Sequence, residues 1–180
     1  MITKPRITIL LMLCIIITGC SSDDDNANGS NPINQLPEAT QTGAGTFGCL
    51  VNGEPYVDNS GSFNCFYQLV DGEYYFNMGS DNEQAGLNQI IIGSTAKEIS
   101  NNIPIELNYN SFNEFYAEIG LLSTQGDFTT TDIQDGIVTF TEFNTNSNIV
   151  SALFEFNITI PETGEIIEIT EGRFDSFFTQ

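Results

Sequence analysis

The chain has 180 residues, of which 40% are hydrophobic, and it carries 24 acidic side chains against four basic ones. The apolar content is enough for one domain with a buried core. A net charge of −20 disfavours binding of nucleic acid, because proteins bind its phosphates through lysine and arginine. Histidine and tryptophan are absent from the sequence, which excludes a Ser-His-Asp triad, a Cys-His pair and any histidine-ligated metal.

The first 19 residues have the organisation of a secretory signal peptide. Lys4 and Arg6 form a positive start, and residues 7–18 continue as an uninterrupted apolar run. A membrane-spanning helix needs roughly 20 apolar residues, so the shorter run predicts the core of a cleaved leader. Residues 1–19 are therefore expected to be removed.

The leader ends at a sequence that resembles the bacterial lipobox. Gly19 stands directly before Cys20, and in a lipobox the thiol receives a diacylglyceryl group before the chain is cut in front of it. The resemblance implies cleavage between Gly19 and Cys20, acylation of Cys20 with fatty acids such as palmitate, and a membrane as partner through this lipid anchor. Two or three acyl chains anchor durably because each buried methylene contributes about 0.8 kcal/mol.

The residues after Cys20 predict an acidic, flexible tether over residues 20–45. It begins with Ser21, Ser22, Asp23, Asp24 and Asp25. This run resembles the export signal of surface-displayed lipoproteins in flavobacterial-type outer membranes, which implies a cell-surface position in the outer membrane. The alternative is a solvated spacer on a periplasm-facing lipoprotein. Residues 26–45 are polar, aperiodic and interrupted by Gly and Pro, as is typical of linkers.

Residues 46–180 alternate apolar and polar side chains with a period of two, the pattern of strands with one buried face. The clearest runs are residues 47–51, 63–70, 73–78, 103–109, 115–121, 152–160 and 165–170. Asn52-Gly53 and Asp71-Gly72 stand between runs and accept the positive φ of tight hairpin turns. The pattern predicts a single antiparallel β-sandwich or meander β-barrel of about nine or ten strands, and it leaves room for a short helix only around residues 96–101 or 131–134.

Cys49 and Cys65 are the two thiols that lie within the predicted domain. The alternation places both on core-facing positions. A disulfide fits an oxidising compartment and would close a loop of about 15 residues. If a strand lies between the first and third strands of a meander, however, the two Cα atoms are too far apart to be bridged. A disulfide and two buried free thiols therefore both stay open.

Lys97 and Arg173 are the only basic residues after the predicted cleavage site, so the mature chain is two charge units more negative than the whole chain. Arg173 is expected to form a structural ion pair at the end of the last strand, with a contact to an anionic ligand as the alternative. The acidity favours a soluble surface outside the cell over a cation-binding role.

The acidic residues form no pattern specific for catalysis. Residues 24–29 begin like a calcium loop, but Gln35 stands where the loop needs its glutamate, and Asp81/Glu83 and Asp132/Asp135 are looser clusters. We expect a non-enzymatic domain without metal or cofactor that binds an envelope protein or an extracellular ligand, and no nucleic acid. The alternatives are a calcium-dependent or carboxylate-based hydrolase and a barrel that carries small hydrophobic ligands in an empty interior.

Two blocks of the sequence resemble an uncharacterised family of flavobacterial-type lipoproteins. The first block is residues 36–53, which end in Thr-Phe-Gly-Cys-Leu-Val-Asn-Gly, and the second is residues 169–175, Ile-Thr-Glu-Gly-Arg-Phe-Asp. The resemblance implies one lipid-anchored domain over nearly the whole mature chain and no functional residue that could be carried over. Pro55-Tyr56 departs from the family, in which an aromatic residue such as Trp more usually follows Asn-Gly.

Overall fold

A computed structural model describes residues 31–109, 111–123, 127–129 and 136–180, which form eleven strands and one 3-10 helix, Pro32–Gln35. The strands are β1 (Thr46–Val51), β2 (Glu54–Val57), β3 (Asn64–Val70), β4 (Glu73–Gln84), β5 (Leu87–Thr95), β6 (Ile105–Glu106), β7 (Glu114–Leu121), β8 (Asp127–Thr129), β9 (Gly136–Asn144), β10 (Ile149–Thr159) and β11 (Ile166–Thr179). The predicted all-β fold is confirmed, with slightly more strands than expected. Within these ranges no helix is both long and apolar enough to cross a membrane.

The strands form one large mixed sheet that is not closed. Sheet A is the part ordered β6-β9-β10-β11-β1-β2, and sheet B is the part ordered β3-β4-β5-β7-β8. Neighbours within each part are antiparallel, as predicted. The meander is broken by β11, which lies between β10 and β1 and then, past the start of β1, runs parallel to β3 with Phe178 opposite Cys65.

A single core fills the space between the two sheets. Phe76 of β4 packs edge-on against Phe140 of β9, with ring centres 5.2 Å apart. The Phe140 ring also contacts Phe115 of β7 at 5.7 Å and Phe174 of β11 at 6.5 Å. Because rings from both sheets meet in the middle, the molecule is sandwich-like, and its apolar surface is removed from water by packing of one sheet against the other.

The predicted alternation is confirmed in most strands. The core-facing residues predicted in β7 and β10 are buried, among them Phe115, Ala117, Ile119, Ala152, Phe154, Phe156 and Ile158. Residues 103–109 differ, because only Ile105–Glu106 is a strand and Ile103 and Tyr109 are 57% and 59% exposed. Residues 96–101, where the sequence left room for a short helix, are not helical, and Ala96 adopts a φ of 56°. The one helix of the described residues is the 3-10 helix at Pro32–Gln35, and residues 131–134 lie outside the described residues.

Tight turns with two successive positive φ angles connect the hairpins. Asn52-Gly53 has φ angles of 50° and 83°, and Asp71-Gly72 has 53° and 91°, which confirms both predicted turns. Ala85-Gly86 makes the same turn between β4 and β5 with 51° and 82°. This turn was not predicted from the sequence, because alanine lacks the side-chain hydrogen bonds that lower the energy of Asn and Asp in the left-handed region.

The last part of the predicted tether packs against the domain. We call residues 31–45 the strap, because they cross the outer face of sheet A. The 3-10 helix contacts β2, and Pro37 lies so close to Gly48 that a Cβ there would come within 2.6 Å of the proline ring. At the other side of the sheet, the Gln41 side chain donates to the Thr141 carbonyl of β9 at 3.1 Å.

The domain boundary therefore differs from the prediction. The sequence placed residues 31–45 in a flexible tether because they are polar and rich in Gly and Thr, whereas their polar groups are hydrogen-bonded to the sandwich. Within the described residues, the part of the chain that packs together therefore includes residues 31–45 as well as those from Thr46 onward. Residues 1–30, which include the leader, Cys20 and the acidic run, lie outside the described residues.

Candidate functional site

Asp175 of β11 holds the strap in place. Its side chain is on the outer face of sheet A, opposite to the core-facing Phe174, yet it is only 1% exposed because the strap covers it. The carboxylate accepts hydrogen bonds of 2.6 to 3.1 Å from the hydroxyls of Thr40 and Ser151 and from the backbone N–H groups of Thr42, Gly43 and Ala44. Both carboxylate oxygens are used, so this site is complete within the protein.

The electrostatics of Asp175 are set by these donors. Burial alone raises its pKa, but the hydrogen bonds from Thr40, Thr42, Ser151 and Ala44 outweigh burial and hold the pKa well below its usual range. The carboxylate is therefore charged at neutral pH, and its charge is balanced by oriented N–H and O–H dipoles. This arrangement is an anchor for a chain segment, and it leaves no acceptor free for a ligand.

The two blocks that carry the family resemblance meet at this anchor. Thr46 pairs with Asp175, Phe47 with Phe174, and Gly48 with Arg173 across β1 and β11. The first block includes residues 36–45 of the strap and supplies every donor to Asp175 except Ser151, and the second block supplies the acceptor. Sequence reasoning missed the role of Asp175, although an acid between Phe174 and Phe177 was a signal that could have been used.

Cys49 and Cys65 are both buried free thiols. Their predicted core-facing position is confirmed. Of the two alternatives left open by the sequence, a disulfide or two buried free thiols, the structure contains the free thiols. Cys49 lies beside Gly48, which pairs with Arg173, whereas Cys65 pairs with Phe178. About five residues of β11 at about 3.3 Å each separate these positions, more than the roughly 7 Å that a disulfide can bridge.

Both thiols are expected to be unreactive near neutral pH. Burial raises the pKa of Cys65 to about 12 and raises that of Cys49 further still. Because the thiolate is the reactive form, neither cysteine acts as a nucleophile near neutral pH. These residues are part of the core.

The two basic residues of the described chain form ion pairs. The Nη2 atom of Arg173 lies 2.9 Å from a carboxylate oxygen of Glu171, and its Nε donates to the Glu171 carbonyl at 3.0 Å. The predicted ion pair is therefore confirmed, but it lies in the middle of β11 and not at the end of the strand. The Lys97 ammonium lies 3.5 Å from Glu114. These partly exposed pairs each contribute little stability.

The loose acidic clusters have separate outcomes. Asp81 and Glu83 lie within β4, and the backbone N–H of Asp81 donates to the carboxylate of Asp58, just after β2, at 2.9 Å. Across the residues that the structure describes, no group of three or more His, Cys, Asp and Glu side chains is arranged to hold a metal ion. Asp132 and Asp135, like residues 24–29, lie outside the described residues.

The strap leaves part of the outer face of sheet A uncovered, and that part is concave. Two adjoining cavities of about 260 and 250 Å³ share Ile137 of β9 and Glu155 of β10 as lining residues. Leu153 lines the first cavity, and the cavities extend across β11 from Arg173 to Glu168. We call this surface the β9–β11 groove.

Local sequence explains why apolar side chains reach the surface in this groove. Phe154 and Phe156 are buried, so the alternate residues Leu153 and Glu155 point outward. Ile137 lies opposite Glu155 and is 41% exposed, while Leu153 is 44% exposed. Sequence reasoning missed the groove, although Leu153 was visible as an apolar residue on the polar side of its strand.

A bulge in β11 shapes the groove. The pairing of β10 with β11 shifts between Phe154 and Phe156, and Glu171 enters the left-handed region with a φ of 54°. The next residue, Gly172, lies against the Phe154 ring so closely that any Cβ would overlap it. A bulge bends its strand and increases the local twist, which accounts for the concave surface.

Comparison of the chain with protein family models, with curated proteins and with solved structures gives no match. The resemblance to flavobacterial-type lipoproteins stays a prediction. The features that bear on function are therefore the predicted lipid anchor and the contacts of the strap and the groove.

Proposed function

We propose that the mature chain is an outer-membrane lipoprotein, held at the cell surface through acylated Cys20, whose sandwich acts as a non-enzymatic binding domain. The observation that carries the binding function is the β9–β11 groove. Ile137 and Leu153 line one depression beside exposed glutamates, and ligand sites typically combine an apolar lining with a few polar groups that orient the ligand.

The strap supports the anchoring part of the proposal. Between acylated Cys20 and Asn31 the chain has residues 20–30, which span at most about 38 Å when fully extended. If the tether continued to residue 45, the same arithmetic would allow about 90 Å. If Cys20 carries the anchor as proposed, the contacts of Asp175 shorten the free tether and keep the domain near the membrane.

The packing of the core favours binding at the surface over binding inside the fold. A carrier of small hydrophobic ligands needs an empty interior, and here the rings of Phe76, Phe140 and Phe174 meet across it. The groove carboxylates, such as Glu155, are exposed to solvent, whereas a general acid that works near neutral pH needs a desolvated setting. Neither the packed core nor the exposed carboxylates of the groove therefore favour either alternative function.

Protease shaving of intact cells tests the proposed location. We expect external protease to remove the domain while a periplasmic control protein survives, and we expect Cys20→Ala to release the domain from the membrane fraction. Full protection of the wild-type domain would refute the surface location and place it on the periplasmic side.

Site-specific photo-crosslinking tests the proposed binding. A photoreactive residue at Leu153 is expected to form adducts on intact cells, while the same residue at Leu69, an exposed leucine of sheet B that is 59% accessible, serves as control. The absence of any adduct specific to position 153 would contradict a binding function of the groove.

A further inference from the structure

We infer that the occupant of the β9–β11 groove is an extended peptide segment of a partner protein that carries basic and apolar side chains. This inference rests on the proposed binding function and names the class of ligand. It follows from the floor of the groove, from the charges on its rim and from the segment that already lies on the same face.

The floor of the groove requires apolar side chains in the occupant. Ile137 and Leu153 are 41% and 44% exposed on neighbouring strands and line the same cavity. The flanking aromatic residues, Phe154 and Phe156, are 4% and 2% exposed because their rings face the core. Stacking on a sugar or a nucleobase needs an exposed ring face, so the floor favours aliphatic contacts over either of those ligands.

The rim of the groove requires positive charge in the occupant. Glu155, Glu168 and Glu171 are exposed lining residues. Arg173 is the one cation among the lining residues, and its guanidinium is paired with Glu171 at 2.9 Å. The rim thus keeps a negative balance, which attracts lysine and arginine side chains and repels phosphate and anionic lipid headgroups.

The strap shows that this face accepts an extended polypeptide. Residues 40–44 lie across sheet A, and the backbone N–H groups of Thr42 and Gly43 donate to the Asp175 carboxylate. The Gln41 side chain donates to the carbonyl of Thr141 in β9. Thr139, two residues away on the same strand, already lines the groove. The groove therefore continues a surface that binds chain in cis. From Leu153 to Asn157 it runs about 13 Å along β10, the length of about four extended residues.

Fluorescence anisotropy with a labelled peptide of alternating lysine and leucine tests the inference. The protein is the mature chain, residues 20–180, with Cys20→Ala so that no lipid and no detergent is present. We expect this peptide to bind about tenfold or more tightly than a glutamate-leucine peptide of equal length, at roughly physiological ionic strength.

Variants locate the binding. Leu153→Thr combined with Glu155→Gln removes apolar floor and rim charge while keeping side chains that strands tolerate, and it is expected to weaken binding about tenfold. The matched control, Leu69→Thr combined with Glu73→Gln, makes the same chemical changes at exposed positions of sheet B. We expect the control to bind within about twofold of the parent chain.

Several results would overturn the inference. They are absence of binding, equal binding of the two peptides, an unchanged affinity in the groove variant, or binding to phosphatidylglycerol vesicles that the groove variant loses, which would assign the face to a membrane. Failure here is distinct from failure of the proposed function, because crosslinked adducts at position 153 on cells without peptide binding would refute only the ligand class.

Discussion

Replacing Asp175 with asparagine tests the anchor of the strap. The substitution keeps the size of the side chain but removes its charge and one of its two acceptor oxygens. Six donors reach the carboxylate, two on Oδ1 (Ser151 and the N–H of Gly43) and four on Oδ2, so at least two of them then face an amide NH₂ group. Unpartnered buried donors and the loss of hydrogen bonds to a charge together cost about 3 kcal/mol.

The expected result of Asp175→Asn is a lower melting temperature and a released strap. For a domain of this size, 3 kcal/mol corresponds to a fall of about 6–12 °C in a thermal melt followed by circular dichroism. Hydrogen exchange should show faster exchange at the amides of Gly43 and Ala44. The matched control is Glu155→Gln, an exposed carboxylate on β10, which is expected to change stability by less than about 0.5 kcal/mol.

The pH dependence gives a second readout of the same anchor. The folded-state pKa of Asp175 is held below the ordinary value of about 3.9, so its contribution to stability is present above that value and is lost as pH falls through it towards the folded-state pKa. The difference in melting temperature between wild type and Asp175→Asn should therefore narrow below about pH 4. An unchanged melting temperature, unchanged exchange in the strap, or a difference that ignores pH would refute the reasoning.

Three other residues or pairs provide further predictions. Gly172→Ala places a Cβ in the Phe154 ring and should lower the free energy of unfolding, measured with urea, by about 2 kcal/mol. The control is Gly79→Ala, whose Cβ would lie 3.7 Å from the nearest atom and which should lower the free energy of unfolding by less than about 1 kcal/mol. Equal effects of the two substitutions would contradict the close packing of Gly172. Cys49 and Cys65 should both resist a thiol reagent at pH 8 in the native protein and react once unfolded, and an intact mass two hydrogens lighter than the dithiol would show a disulfide instead. Ala85→Gly should stabilise the protein by about 1 kcal/mol because it relieves a φ of 51°, and a lower melting temperature would count against that turn.

Local sequence patterns were enough to predict the strands and two of the hairpin turns. The period of two in β7 and β10 predicted which side chains are buried, because the pleat of a strand sends neighbouring residues to opposite faces whatever the strand pairs with. Asn52-Gly53 and Asp71-Gly72 predicted hairpins because their residue types tolerate positive φ by themselves. These features depend on a residue and its near neighbours, so they can be recognised without knowledge of the rest of the chain.

Tertiary structure alone decided the strand order, the strap and the groove. The pairing of β11 with β1 depends on packing between residues far apart in sequence. A period of two shows that a segment is a strand, but it does not show which other strand it pairs with. Thr40 and Asp175 are 135 residues apart, and a segment rich in Thr and Gly has the same composition whether water or a buried carboxylate satisfies its N–H groups. The groove exists because a bulge bends β11 next to two apolar side chains, and that coincidence of three strands is visible only once the sheet is assembled.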